Sequence, residues 1–83
     1  MDVQQEVLRV LDETLSLGGR AMRYTRDTHL LGAVPELDSM AVVTVITMLE
    51  DRFGIVVDDD DIDGGTFGTV GSLVDFVSGK VAA

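Results

Sequence analysis

The chain contains no cysteine and a single histidine, His29. The first absence excludes disulfides, thiolate metal sites and a cysteine nucleophile. The second leaves too few imidazoles for a histidine metal cluster. Basic residues are scarce as well: six Lys and Arg stand against fifteen Asp and Glu, for a formal net charge of −9. Charge of that sign repels a phosphate backbone and argues against nucleic acid as a partner. It favours solubility and steering toward basic protein surfaces. No apolar run approaches the length that spans a bilayer, so membrane insertion is not expected. The opening Met1-Asp2-Val3-Gln4-Gln5-Glu6 lacks the basic and apolar regions of a signal peptide, and the expected location is the cytoplasm. Met1 and the short tail after Lys80 suggest a freestanding protein rather than a domain cut from a synthase, and a monomer is expected.

What remains is enough for one small domain, residues 1–83. Hydrophobic residues make up 46% of it, too many for a disordered chain. Val3, Val7, Leu8, Leu11 and Leu15 recur at helical spacing and predict an amphipathic first helix that Gly18-Gly19 stops. Arg20, Arg23 and Arg26 then hold half of the basic residues; they read as local neutralisation of nearby acids or as a contact patch for an acidic group. Pro35 and the glycines mark this region as loop. From Ser39 to Phe53 two signals conflict. The run Val42-Val43-Thr44-Val45-Ile46-Thr47 has the composition of a strand, but Val42, Val45, Ile46, Leu49 and Phe53 form one helical stripe. Packing outweighs propensity differences of a few tenths of a kcal/mol per residue, so a helix is expected. Gly64, Gly65 and Gly68 leave room only for a short, weak helix after the aspartate run. Thr69 is the expected cap of a last helix over Val70–Ser78, ended by Gly79. The expected fold is all-α: a small four-helix bundle with a long loop between helices one and two and a short, weak third helix.

Leu37-Asp38-Ser39-Met40 places a hydroxyl, beside a carboxylate, at the start of the second helix. The first N–H groups of a helix are unpaired and its dipole adds partial positive charge, so a phosphate is well accommodated there. This pattern, in an acidic chain of this length, resembles the attachment site of acyl carrier proteins. The order of helices and the segment Thr69-Val70-Gly71-Ser72-Leu73 extend the resemblance over nearly the whole chain.

The resemblance implies that Ser39 carries phosphopantetheine through a phosphodiester. A separate transferase installs it from coenzyme A, with Asp38 helping to bind that enzyme and its metal ion. The arm would supply the thiol this chain does not have, and acyl groups would ride on it as thioesters. Implied partners are the phosphopantetheinyl transferase, an acyl-activating ligase or acyltransferase, and ketosynthase-type enzymes of fatty acid, polyketide or related acyl biosynthesis. Met40 and Val43 lie one and four positions after Ser39 and flank it on the helix; with Glu50 and Asp51 they form the expected docking face. Val42, Ile46, Leu49, Phe53, Ile62 and Val74 are the candidates for a core that opens around an acyl chain. Ala41 and Thr44 are neutral where the family often has acids, a departure that argues against a close match to the partner enzymes of housekeeping fatty acid synthesis and points to a specialised pathway.

Other motifs are weaker. Asp59, Asp61, Asp63 and Gly64 match the first half of a calcium loop, but its twelfth position is Val70 rather than glutamate. Weak divalent binding at Asp59, Asp61 and Asp63 is the most this run implies. Ser39, Asp38 and His29 do not form a hydrolase triad, since the Gly-x-Ser-x-Gly elbow is missing, and an enzyme is not expected. Two alternatives stay open: a carrier of aminoacyl groups, and a small acidic binding module without a prosthetic group.

Overall fold

The computed structural model describes residues 2–82, the side chain of Asp59 excepted. The fold is all-helical: α1 (Val3–Leu15), α2 (Ser39–Phe53) and α3 (Val70–Ala82), with 3₁₀ turns at Arg20–Arg23 and Asp59–Asp61. The expected weak third helix is thus a single 3₁₀ turn inside the run of four aspartates Asp58 to Asp61, with the helix-breaking pair Gly64-Gly65 close behind it.

Asp2 caps α1 by accepting the Gln5 N–H at 3.2 Å. The helix packs against α2, α3 and the first 3₁₀ turn, so it is the central element. That explains a residue outside the expected stripe: Val10 is fully buried alongside Val7 and Leu11, because α1 is covered on more than one side. The helix also ends earlier than Gly18-Gly19. Ser16 takes a left-handed conformation, φ 55°. The Leu17 N–H then reaches back to the Asp12 carbonyl at 3.0 Å, and Leu17 is buried. Asp12 extends its carboxylate to the Gly19 N–H at 2.8 Å and the Ala21 N–H at 3.2 Å. One acidic side chain thereby closes the helix and starts the next turn, with Gly19 supplying a positive φ of 95°.

The long connection to α2 is folded against the body. Leu17, Ala21, Leu30, Val34 and Leu37 are all buried. Its middle pairs with the segment entering α3 around an isolated antiparallel bridge, His29 with Thr69. The Leu30 and Leu31 N–H groups donate to the Gly68 and Phe67 carbonyls, and the Val70 and Gly71 N–H groups donate to Thr28 and Arg26, all at 2.9–3.0 Å. Two of the three loop arginines neutralise acids across the fold: Arg20 pairs with Glu36 at 2.6 Å, and one Arg26 nitrogen reaches both Asp75 oxygens at 2.8 Å. Arg23 is exposed.

α2 forms as a helix despite its β-branched run. Val45 and Leu49 are buried, while Val42, Ile46 and Phe53 pack partly buried against the same core. Gly54 ends it in the left-handed region, φ 64°. Arg52 joins it to α1 through Glu6 at 3.2 Å and Glu13 at 3.5 Å.

α3 begins with a reciprocal cap: Thr69 Oγ1 accepts the Ser72 N–H and Ser72 Oγ accepts the Thr69 N–H, both at 3.1 Å. It does not stop at Gly79 but runs to Ala82. Gly79 is tolerated because the next residue anchors the last turn: Lys80 pairs with Asp61 at 2.7 Å and lies 5.9 Å from the Phe76 ring centroid. That hydrogen bond holds the Asp61 carboxyl below its ordinary value.

Candidate functional site at the start of α2

Asp38, not Ser39, is the cap of α2. Its backbone is extended and its Oδ1 accepts the Ala41 N–H at 2.8 Å. Its carbonyl accepts the Val42 N–H at 2.9 Å. Ser39 is therefore the first helical residue. Its side chain is exposed, and its hydroxyl makes no hydrogen bond among the described residues. The N–H groups of Ser39 and Met40 likewise meet no acceptor there. The commonest structural role of a serine after a loop is thus already filled by its neighbour. What remains is a free hydroxyl beside two free N–H donors at the positive end of a 15-residue helix. Approach to the helix is set by Leu37, which is buried and holds the last loop residue before the cap against the core.

Met40 is 76% exposed and Val43 61% exposed; Val43 lies one turn beyond Ser39 on its side of α2, and Met40 is next to Val43 on the helix surface. Asp51 is exposed at the far end of the helix. Glu50 sits differently from the other docking candidates: it is half-buried, and its Oε2 accepts the Val57 N–H at 2.9 Å. That bond ties the chain leaving α2 back to the helix. Leu31 and Val56 are also exposed apolar residues; sequence patterning does not reveal them, since each lies in a segment without periodicity.

The six candidates for an acyl-accommodating core divide by depth. Leu49 and Val74 are buried, and Val42, Ile46, Phe53 and Ile62 are partly buried against them. The described residues enclose no cavity, so the core is closed in this conformation. In the aspartate run, Asp61 faces Lys80, and Asp63 Oδ1 accepts the Gly65 N–H at 2.8 Å and the Thr66 N–H at 3.1 Å. Both carboxylates therefore hold the chain itself. The Asp59 side chain lies outside the described residues. No group of three or more metal-ligating side chains is gathered among the described residues.

Known proteins share this fold. The family model described as the phosphopantetheine attachment site matches residues 27–77, a span that contains Ser39, all of α2 and the start of α3. Among solved structures, the solution NMR structure of a holo acyl carrier protein from Nitrosomonas europaea is 48% identical to this chain. The two align over 100% of both chains with a TM-score of 0.92. No curated protein matches. The chain belongs to the phosphopantetheine attachment family, as an acyl carrier protein, with phosphopantetheine as its prosthetic group. No helix among the described residues is long and apolar enough to cross a membrane.

Proposed function

We propose that Ser39 is the attachment residue and that residues 1–83 act as one carrier domain without catalytic activity, in the cytoplasm. One observation carries this reading: Ser39 leads α2 with a hydroxyl that nothing among the described residues engages, because Asp38 has taken the capping role. The bound group supplies a thiol on a flexible arm, which holds acyl cargo as a thioester. Ser39 Oγ is the link to the phosphate. The Ser39 and Met40 N–H groups, unpaired among the described residues at the positive end of α2, would favour a negative charge there by roughly 0.3–1 kcal/mol. Asp38 sets a carboxylate next to the attachment residue. That carboxylate would help hold the divalent cation used by the loading transferase, the part the family resemblance gives it.

Met40 and Val43 are the apolar part of the docking face, with Asp51 at its edge and Glu50 contributing through the chain it positions. The partners are the phosphopantetheinyl transferase, an acyl-activating ligase or acyltransferase, and condensing enzymes of acyl biosynthesis. The 3₁₀ turn at Asp59–Asp61 is the counterpart of the weak third helix of a four-helix bundle. Medium-chain cargo would enter by parting Val42, Ile46, Phe53 and Ile62 from Leu49 and Val74. Burial returns about 0.8 kcal/mol per methylene, several kcal/mol for a medium chain, against the closed packing that must open. Acyl rather than aminoacyl cargo is favoured by the 48% identity to a holo acyl carrier protein.

The test is intact-mass spectrometry after incubation with coenzyme A, magnesium and a broad-specificity phosphopantetheinyl transferase. One added phosphopantetheine is expected on the native chain and none on Ser39→Ala, which should fold normally because Ser39 is exposed and unbonded. Equal modification of both proteins would move the attachment elsewhere.

A further inference from the structure

Residues 32–38, which lead into α2, have few ties to the rest of the fold. The Ala33 and Val34 N–H groups donate to the Leu30 carbonyl, and the Leu37 N–H donates to Val34. Asp38 serves only the first turn of the helix it caps. Val34 and Leu37 are buried, and the other five residues are exposed. Among the described residues, one polar contact joins this segment to a distant part of the chain: Arg20 donates to Glu36 Oε2 at 2.6 Å. The arginine end of that contact is fixed in place. Asp12 accepts the N–H groups of the residues on both sides of Arg20, Gly19 and Ala21, and Arg20 Nε donates to the Leu17 carbonyl at 3.0 Å. An exposed ion pair ordinarily loses much of its gain to the ordering of two long side chains. Here the guanidinium is already held by its own turn. At the other end, Glu36 stands between Pro35, whose ring fixes its φ, and buried Leu37, three positions before Ser39.

We propose that Arg20 and Glu36 form a positioning pair, a strut from the turn after α1 that sets the path of residues 36–38 and so the orientation in which Ser39 meets the enzyme that loads it. The inference rests on Ser39 being the attachment residue. Neither member of the pair touches the reacting atoms; both act through the backbone between Glu36 and Ser39. Without the strut, buried Leu37 and the Asp38 cap still start α2, so the fold persists. The exposed residues of the segment then sample other paths, and the arrangement that fits a transferase is occupied for less of the time. A partner that requires one arrangement binds in proportion to its population. Group transfer is also more sensitive than stability to a small misplacement of the nucleophile. The pair therefore matters more to loading than its small contribution to stability suggests.

The experiment follows loading of the apo-protein by a phosphopantetheinyl transferase with coenzyme A and magnesium, with intact mass as readout and initial rates taken over a range of carrier concentrations. The variants are Arg20→Met, Glu36→Gln, the two combined, and the exchanged pair Arg20→Glu with Glu36→Arg. Lys80→Gln, which breaks the ion pair to Asp61 far from this segment in sequence, is the control. Circular dichroism and thermal melts check folding, and all should melt close to the parent because the partners are solvent-exposed. Each single variant is expected to lower kcat/KM by roughly two- to fivefold. One of them makes the chain more negative and the other less, so long-range steering would move their rates in opposite directions, whereas loss of the pair lowers both. The combined variant should load no more slowly than the slower single, since both remove the same interaction. The exchanged pair loses the bond to Leu17 and should recover part of the rate, exceeding both singles. Lys80→Gln should load like the parent. Parental kcat/KM in the single variants, opposite shifts in the two, losses that add in the combined variant without recovery on exchange, or an equal loss in Lys80→Gln would each overturn the proposal while leaving Ser39 as the attachment residue. A parent chain that is never loaded, under conditions that load another carrier protein, would remove the attachment reading and this inference with it.

Discussion

Replacing Asp38 with asparagine keeps an oxygen for the Ala41 N–H and removes the charge. Asparagine is as good a cap as aspartate, so Asp38→Asn should alter stability by no more than a few tenths of a kcal/mol. Asp38→Ala removes the cap and should cost about 1 kcal/mol, which lowers the Tm by roughly 4–8 °C in a chain of this size. Thermal melts of the two variants measure the capping role. The loading rate measures the other role: both variants should load more slowly than the parent, by a similar factor, if the carboxylate itself engages the transferase and its cation. Loading of Asp38→Asn at the parental rate would confine Asp38 to capping. The motif was legible in the sequence at this resolution, because Asp38-Ser39 after a loop is a local signal. The division of labour between the two residues was not. Either side chain can cap a helix, and only the backbone path shows that the helix begins at Ser39, with Asp38 outside it.

Among the elements, α3 offers a paired prediction from its two glycines. Gly79 lies in the helix with nothing within 4 Å of where an alanine methyl would sit, and Gly71 lies in its first turn against the loop. Glycine to alanine in a helix ordinarily stabilises by about 0.5–1 kcal/mol. Gly79→Ala should show that gain in urea denaturation. Gly71→Ala should show the opposite sign, because its Cβ would sit 3.0 Å from the Arg26 carbonyl oxygen and 3.3 Å from the Arg26 Cβ. Relief requires the loop to move away from α3, at the expense of the 2.9 Å Gly71 to Arg26 hydrogen bond. A stabilised Gly71→Ala would mean the loop yields freely. The helices themselves were readable from periodicity, including α2, where the stripe through Val45 and Leu49 prevailed over β-branched composition. Their ends were less so. The sequence pattern put stops at Gly18-Gly19 and at Gly79. The observed ends depend on Asp12 reaching Gly19 and Ala21, and on Lys80 reaching Asp61, partners that helix periodicity does not reveal.

The molecule as a whole carries a charge of −9, and its ion pairs work against that self-repulsion. Added monovalent salt should therefore raise the Tm, as screening weakens repulsion among acids more than it weakens the few pairs. A Tm that falls steadily with salt would show the pairs to dominate. Acid acts on the pairs separately. The hydrogen bond from Arg20 holds the Glu36 carboxyl below its ordinary 4.5, and the one from Lys80 holds Asp61 below 3.8. Groups lowered in the folded state bind protons less readily than in the unfolded chain. Their contribution is present above the ordinary values and is lost as pH falls through the lowered ones. Both pairs are solvent-exposed, so each effect is small. Glu36→Gln and Asp61→Asn should accordingly lose less stability than the parent between about pH 6 and pH 3, measured as urea midpoints. Identical acid profiles for parent and variants would remove these two pairs from the acid response.

Local chemistry was enough to establish the class of fold, the serine at the head of α2, and the exclusion of thiol chemistry and of a histidine metal cluster, because helix periodicity, capping residues and composition act over a few neighbouring positions. The conformation of the 16–38 connection belongs to the tertiary structure alone. Its order comes from Leu30 buried in the core, from the backbone pairing of residues 26–31 with 67–71, and from Arg26 against Asp75, contacts between segments far apart in sequence. Likewise only packing decided that Val10 is interior and that Glu50 serves the fold. Such contacts depend on which surfaces meet, and a linear pattern does not specify that.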